Sequence, residues 1–276
     1  MILVLDRGNS SLKASLFDSG RIVKRWRDES SSARSLRAIV AEAIRACPPA
    51  PPAADAGRKR RSSKAGAKSA PGRPRPCIEG AAFSSVVPEW RASILRSLRA
   101  AGVRRIVAAG PRIELPFSLL VDSPERLGPD RVAAAAGVVA YGGRDAVIID
   151  AGSAVTVDVL SGGAFLGGAI FPGERLLLSA LHGGTAALPR IAPAEGVPRV
   201  PGKDTGGAML AGAFWGLAGA VKELTRRSLS VLSEGAAVWI TGGGADALAP
   251  HIGVETRHEP DLVAVGLHYL YRLNEK

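Results

Sequence analysis

Two stretches of this chain follow one plan. Residues 147–173 read VIIDAGSAVTVDVLSGGAFLGGAIFPG, an apolar run ending in Asp150, small residues Ala151 and Gly152, and a second β-branched run from Val155 to Leu160. That is the composition of a β-hairpin with an acid at the strand end. Residues 2–20 read ILVLDRGNSSLKASLFDSG. An ungapped overlay sets Asp6 on Asp150, Gly8 on Gly152, Asn9 on Ser153, Leu16 on Leu160 and Ser19 on Gly163. The repeat distance is about one domain length, so the chain is expected to fold as two similarly built halves facing each other across a cleft. One acidic hairpin turn alone is ordinary; the repetition gives it meaning.

Backbone N–H groups in such a turn, with the Ser153 hydroxyl, converge on a spot that suits a phosphate, while the aspartate offers a hard oxygen to a cation. A cleft flanked by two of these turns reads as a nucleotide site. Thr241-Gly-Gly-Gly244 follows a third apolar run, Ala237 to Ile240, and adds another glycine-rich strand exit.

With these motifs the chain resembles the sugar kinase, actin and Hsp70 ATPase superfamily: α/β, two ribonuclease H-like domains, with the active site between them. Gly128-Pro-Asp-Arg131, the run Gly167 to Gly173, Thr185-Ala-Ala-Leu-Pro189 and Gly202-Lys-Asp-Thr205 narrow it, in order and spacing, to the type III pantothenate kinases. That resemblance implies ATP-dependent phosphorylation of pantothenate in coenzyme A synthesis. It implies Mg²⁺ on Asp6, phosphates lined by Gly8, Asn9, Ser10, Ser11 and Lys13, a monovalent cation (K⁺ or NH₄⁺) on Asp150, and ATP against Ser153. The acceptor is expected along Gly128, Pro129, Asp130, Arg131 and Thr205, with Asp130 activating its hydroxyl and Arg131 holding its carboxylate. A carboxylate within hydrogen-bond reach can take a hydroxyl proton, and a guanidinium can grip a carboxylate bidentately. Read without the resemblance, Asp130 only supports the start of a helix and Lys13 is a surface strand lysine. The family is dimeric, which implies a homodimer.

The chain departs from the family pattern at Ser10 and Ser153, where threonine is usual, at Arg7, which reaches the phosphates or points to solvent, and at Val121, where a tyrosine is common. Alternative readings are a kinase-fold transcriptional accessory protein and a kinase of another small molecule. Intact Asp6, Asp130, Arg131 and Asp150 argue against the first, and Gly128 to Arg131 against the second.

Composition bears on the remaining classes. A 46% hydrophobic content supports buried cores. No apolar run is long enough to span a bilayer and no signal peptide opens the chain, so a cytoplasmic protein is expected. The net charge of +11 is concentrated between Pro48 and Pro76, where Arg58, Lys59, Arg60, Arg61, Lys64, Lys68, Arg73 and Arg75 meet the single acid Asp55. This Pro-, Ala-, Gly- and Ser-rich segment, about 48–76, is expected to be a disordered insertion; a basic arm attracted to nucleic acid is the alternative. Cys47 and Cys77 bracket it and could in principle meet, but in a reducing compartment thiols are expected rather than a disulfide. Domains are expected at 1–139 and 140–276. Helices are expected over 34–46, from Pro88 to Gly102, over 131–140, 209–232 and 261–273, the last near the domain junction, and Trp90 is expected in the core.

Overall fold

The structure, a computed structural model, describes residues 1–29, 32–47 and 78–275. The basic insertion expected at about 48–76, and Cys77 beside it, lie outside the described residues.

The first half contains β1 (Ile2–Arg7), β2 (Leu12–Asp18), β3 (Arg21–Asp28), α1 (Ala33–Ala46), β4 (Gly80–Ser85), α2 (Pro88–Ala100) and β5 (Arg105–Ala108). Its five strands lie in the order β3-β2-β1-β4-β5. After the short β6 (Ser118–Leu119) and α3 (Pro129–Ala140), the second half runs β7 (Ala146–Ala151), β8 (Ala154–Ser161), β9 (Ala164–Pro172), α4 (Glu174–Gly184) and α5 (Thr205–Leu229). It ends with β10 (Ala237–Thr241), α6 (Ala245–Leu248), β11 (Arg257–His258) and α7 (Leu262–Leu273). The second sheet, β11-β10-β7-β8-β9-β6, repeats the first order with β6 added at one edge. Two hairpin-led mixed sheets of this order are ribonuclease H-like halves.

Side-chain parity shows why these strands sit where they do. Leu3 and Leu5 face outward onto α1 and α2, packing with Leu36, Ile39, Ile94 and Leu98. Ile2 and Val4 face inward to a core that also holds Ala146, Ile148 and Leu160 of the second sheet, with α3 and α7 between. Val147 and Ile149 take the opposite face, against Leu217 and Val221 of α5. Central strands buried on both faces therefore read as unbroken apolar runs. Period two then puts Asp6 and Asp150 on the inner faces, at the ends of β1 and β7. As expected, α7 lies at the junction, packed on α3 and against β1 and β4. Helix ends follow local chemistry: the Ser32 side chain caps α1 through Ser35 N at 3.1 Å, and Asp204 caps α5 through Gly207 N at 2.6 Å.

The ungapped overlay needs one correction. Arg7 pairs with Leu12, leaving four residues in the first turn, whereas Ala151 pairs with Val155, leaving three in the second. Beyond the turns the equivalence therefore slips by one residue, so that Ser10 rather than Asn9 matches Ser153. Two features bear this out. The β2–β3 bulge at Leu16/Phe17 matches that of β8–β9 at Val159/Leu160, and the left-handed pair Ser19 (φ 48°) and Gly20 (φ 81°) matches Gly162 (φ 57°) and Gly163 (φ 80°). Leu16 thus corresponds to Val159, and Ser19 to Gly162.

Candidate active site in the interdomain cleft

The two Asp-x-Gly turns meet. Ser10 Oγ and Ser153 Oγ lie 2.6 Å apart, joining residues from opposite halves of the chain. Each turn is closed by its own backbone, Gly8 N–H donating to Ser11 O at 3.1 Å and Gly152 N–H to Ala154 O at 3.2 Å. The run from Gly167 to Gly173 ends against the second turn, where Gly173 N–H donates to Ser153 O at 3.0 Å. Gly244 N–H, at the entrance to α6, donates to Ala151 O at 2.9 Å. Gly242 is held at φ +93°, and a Cβ there would stand 2.5 Å from Asp150 Oδ1. The third glycine motif is thus folded directly onto the second aspartate.

Beside these turns opens a cavity of about 490 Å³. It is lined by Ser10, Ser11, Lys13, Gly152 and Ser153 of the turns, by the charged side chains Arg27, Glu29, Glu174 and Arg175, and by Phe214, Leu217, Gly243, Gly244, Ala247 and Leu248. Hydroxyls, turn N–H groups and basic side chains beside a stretch of apolar residues and glycines suit a molecule bearing phosphates and a flat ring. A second cavity of about 360 Å³, lined by Asp6, Lys13, Asp150 and residues of α7, adjoins it.

Four carboxylates act on one another here. Burial pushes Asp6 above the ordinary carboxylate range, partly offset by the Ser84 hydroxyl, which donates to Asp6 Oδ1, and by Lys13. Burial also pushes Asp150 up, to about 7, with Lys13 pulling it down and Asp6, Asp130 and Asp158 pushing it further up. Asp158 is raised by burial against the pull of Arg131. Buried acids short of positive charge are the electrostatic setting of a cation site. Among the described residues no three His, Cys, Asp or Glu side chains group closely enough to hold a metal by themselves. Single carboxylates fit an Mg²⁺ that keeps waters and phosphate oxygens as its other ligands.

A family model described as type III pantothenate kinase matches residues 2–227. The chain belongs to that family. A type III pantothenate kinase from Rhizorhabdus wittichii is 32% identical over 98% of this chain and 97% of its own length. One from Phenylobacterium zucineum is 31% identical over 100% and 99%. Solved structures with the same fold include a ROK family glucokinase from Streptomyces griseus, in complex with glucose and AMPPNP, at TM-score 0.52 and 13% identity, covering 99% of both chains. A structure titled as a Baf family transcriptional activator from Campylobacter jejuni gives TM-score 0.57 at 18% identity, covering 99% of this chain and 98% of its own. At such identities these likenesses carry the fold and nothing further.

The family motifs divide in the structure. Pro129 opens α3, and Asp130 stands in its first turn with Oδ1 accepting from Arg131 N–H at 2.9 Å. Asp130 is near enough to Asp6 and Asp150 to raise both. Thr205 is the first residue of α5, exposed, and lines neither cavity. Arg131 does not project freely: its Nε donates to Asp158 Oδ1 at 2.9 Å, and Nη2 donates to the same oxygen. Arg7 does not point to solvent, and it lines neither cavity. It is 6% exposed, its guanidinium lies 4.9 Å from the centroid of the Trp90 ring, and Nη1 donates to Ser11 O at 3.4 Å. Trp90 packs on the first outer core, as expected. Val121 packs against the inner core.

Sequence reasoning missed Asp158 and Ser84. Asp158 left a signal, a lone acid inside the apolar run Val155 to Leu160. Ser84 left none; only the parallel pairing of Asp6 with Ser84 brings it to the carboxylate.

Proposed function

We propose that this chain transfers the γ-phosphoryl group of ATP to the terminal hydroxyl of pantothenate, giving 4′-phosphopantothenate and ADP, the first step of coenzyme A synthesis. The reading is carried by one observation: two phosphate-suited turns in hydroxyl contact, with Asp130 electrostatically coupled to the aspartates of both. The transfer asks for positioning and charge neutralisation more than covalent work by the protein.

In this reading Gly8, Asn9, Ser10, Ser11, Lys13 and Ser153 cradle the triphosphate, and the slot between Phe214 and Gly243 takes the base. Asp6 holds Mg²⁺ and Asp150 a monovalent cation, K⁺ or NH₄⁺. When bound, these ions neutralise the phosphates against the buried acids. Gly128, Pro129, Asp130, Arg131 and Thr205 receive the acceptor. Arg131 meets its carboxylate, and Asp130 accepts the hydroxyl proton as the oxygen attacks the γ-phosphorus and the bond to the β–γ bridging oxygen breaks. Asp130 sits in the first turn of α3. The reading divides the chain at 139/140 into two ribonuclease H-like domains, with β6 and α7 reaching across, and sets it in the cytoplasm as a homodimer. Among the described residues no helix is long and apolar enough to cross a membrane.

ADP release with pantothenate beside a panel of hexoses tests the acceptor: turnover with pantothenate alone is expected, and turnover with a sugar alone would overturn the assignment. Asp130→Asn keeps shape but cannot take the proton. It should lower kcat by about 10²- to 10⁴-fold while nucleotide binding, followed by thermal shift, stays unchanged. Near-normal turnover in that variant would remove Asp130 from the role.

A further inference from the structure

Arg131 is held from two sides. Asp158 Oδ1 accepts from its Nε and its Nη2, and the guanidinium carbon lies 5.5 Å from the centroid of the Phe165 ring. The Arg131 side chain is 15% exposed and that of Asp158 is 1% exposed. Nη1 is the one guanidinium nitrogen for which no hydrogen bond is recorded among the described residues. The neighbouring strand makes room for the pair: a Cβ on Gly168 would collide with Asp158 Oδ1 and with Val157 O. One glycine of the run Gly167 to Gly173 is thereby accounted for.

The fold does not require an acid at this position. Asp158 pairs with Ile148 of β7, and the matching residue of the first half, paired with Val4 of β1, is Ser15. There a buried serine serves, at 6% exposure. Nor does stability explain it, since a buried ion pair repays its desolvation only with well-satisfied geometry, and both hydrogen bonds from Arg131 fall on Asp158 Oδ1 and neither on Oδ2. What the arrangement secures is direction: a guanidinium fixed along its Nε–Nη2 edge presents only its Nη1 side.

We infer that Asp158 is a positioning residue, which fixes Arg131 so that its free Nη1 side is aimed at the carboxylate of the acceptor. This rests on the proposed role of Arg131 toward pantothenate, and the test separates the two. Steady-state constants are measured for Asp158→Asn, Arg131→Ala and the double variant, with Asp158→Ser, the residue carried by the first half, as a second variant should the amide not fold. Asp158→Asn should raise KM for pantothenate roughly tenfold, leave kcat and KM for ATP within about twofold, and add nothing in the Arg131→Ala background. An unchanged pantothenate KM, an additive effect in the double variant, or kcat and both KM values worsening together would overturn the inference. Should the unmodified protein ignore pantothenate, the proposed reaction falls, yet the positioning claim is still read by NMR. The Arg131 Nε–H resonance, assigned by its loss in Arg131→Lys, should exchange slowly in the unmodified protein and fast in Asp158→Asn; equal exchange rates would refute it.

Discussion

The two Asp-x-Gly turns share a backbone and differ in what surrounds the carboxylate. Asp6 has a hydroxyl on the parallel strand beside it, Ser84, donating to Oδ1. Asp150 has Thr241 at the matching place in the pairing, but that hydroxyl donates to Pro260 O at 3.4 Å. The first turn is one residue longer, and Lys13 pairs directly across from Asp6; across from Asp150 stands Thr156. The second turn is instead roofed by Gly242 and Gly244. Duplicated geometry has thus produced two buried, raised acids in unlike surroundings, one with the Ser84 hydroxyl donating to it and Lys13 across the hairpin, the other raised to about 7 and roofed by glycine.

The largest effect should separate the two directly. Asp6→Asn removes the charge proposed to face Mg²⁺ and should lower kcat by roughly 10²- to 10³-fold, with little recovery on adding Mg²⁺. Asp150→Asn should cost about tenfold or less and abolish the preference for K⁺ or NH₄⁺ over Na⁺, as steady-state rates in the three salts would reveal. Equal losses in both variants would break the distinction.

Next in size is the roof. Gly242 is at φ +93° with Asp150 Oδ1 2.5 Å and Ala151 O 2.6 Å from the place of a Cβ, so Gly242→Ala combines backbone strain with a clash against main chain. It should destabilise the fold by roughly 1–3 kcal/mol. Gly8→Ala, in the open first turn where the nearest atom is Ser11 O at 3.8 Å, should stay within about 0.5 kcal/mol. Thermal unfolding of both variants compares the turns, and similar losses would show the first turn to be as tightly enclosed as the second.

How much of this was legible from residues follows from the range of the interactions. The hairpins and the helix starting at Pro88 are local, set by periodicity and by proline and glycine punctuation, and they stand where expected. The doubling of the sheet followed from the repeated motif. The one-residue slip between the turns did not, because loop length is fixed by strand pairing rather than by composition. Ser84 and Asp158 become site residues only through neighbouring strands. The fate of Arg7 depended on Trp90 arriving from α2 to cover it. Contacts made across sheets and helices leave no periodic trace in a single sequence.

A smaller effect concerns pH. Burial holds Asp150 at about 7, so below that the proton competes with a monovalent cation for the carboxylate. The half-saturating K⁺ concentration should fall about tenfold per pH unit on approach to 7 and level off above it. The fold also binds this proton more tightly than the unfolded chain. In cation-free buffer Asp150 therefore contributes a loss of stability as pH rises from the ordinary carboxylate range to about 7, and added K⁺ should restore it. Asp150→Asn should flatten both dependences, and a K⁺ requirement unmoved between about pH 6 and pH 8 would contradict the assignment.

The smallest expected effect tests the hydroxyl that distinguishes Asp6. Burial raises the Asp6 carboxyl, and the Ser84 hydrogen bond is the largest influence lowering it again. Ser84→Ala should therefore let it rise further. A raised carboxyl is ionised in a smaller fraction of molecules at acid pH, while at alkaline pH both forms of the protein carry the same charge. The acidic limb of the kcat/KM profile should then shift toward higher pH by an amount worth about one ordinary hydrogen bond, with the alkaline side little changed. The matching change in the second half, Thr241→Val, deletes a hydroxyl that serves Pro260 rather than Asp150, so its acidic limb should stay in place. If the two variants shift the profile equally, the donor beside Asp6 is not what sets the two acids apart.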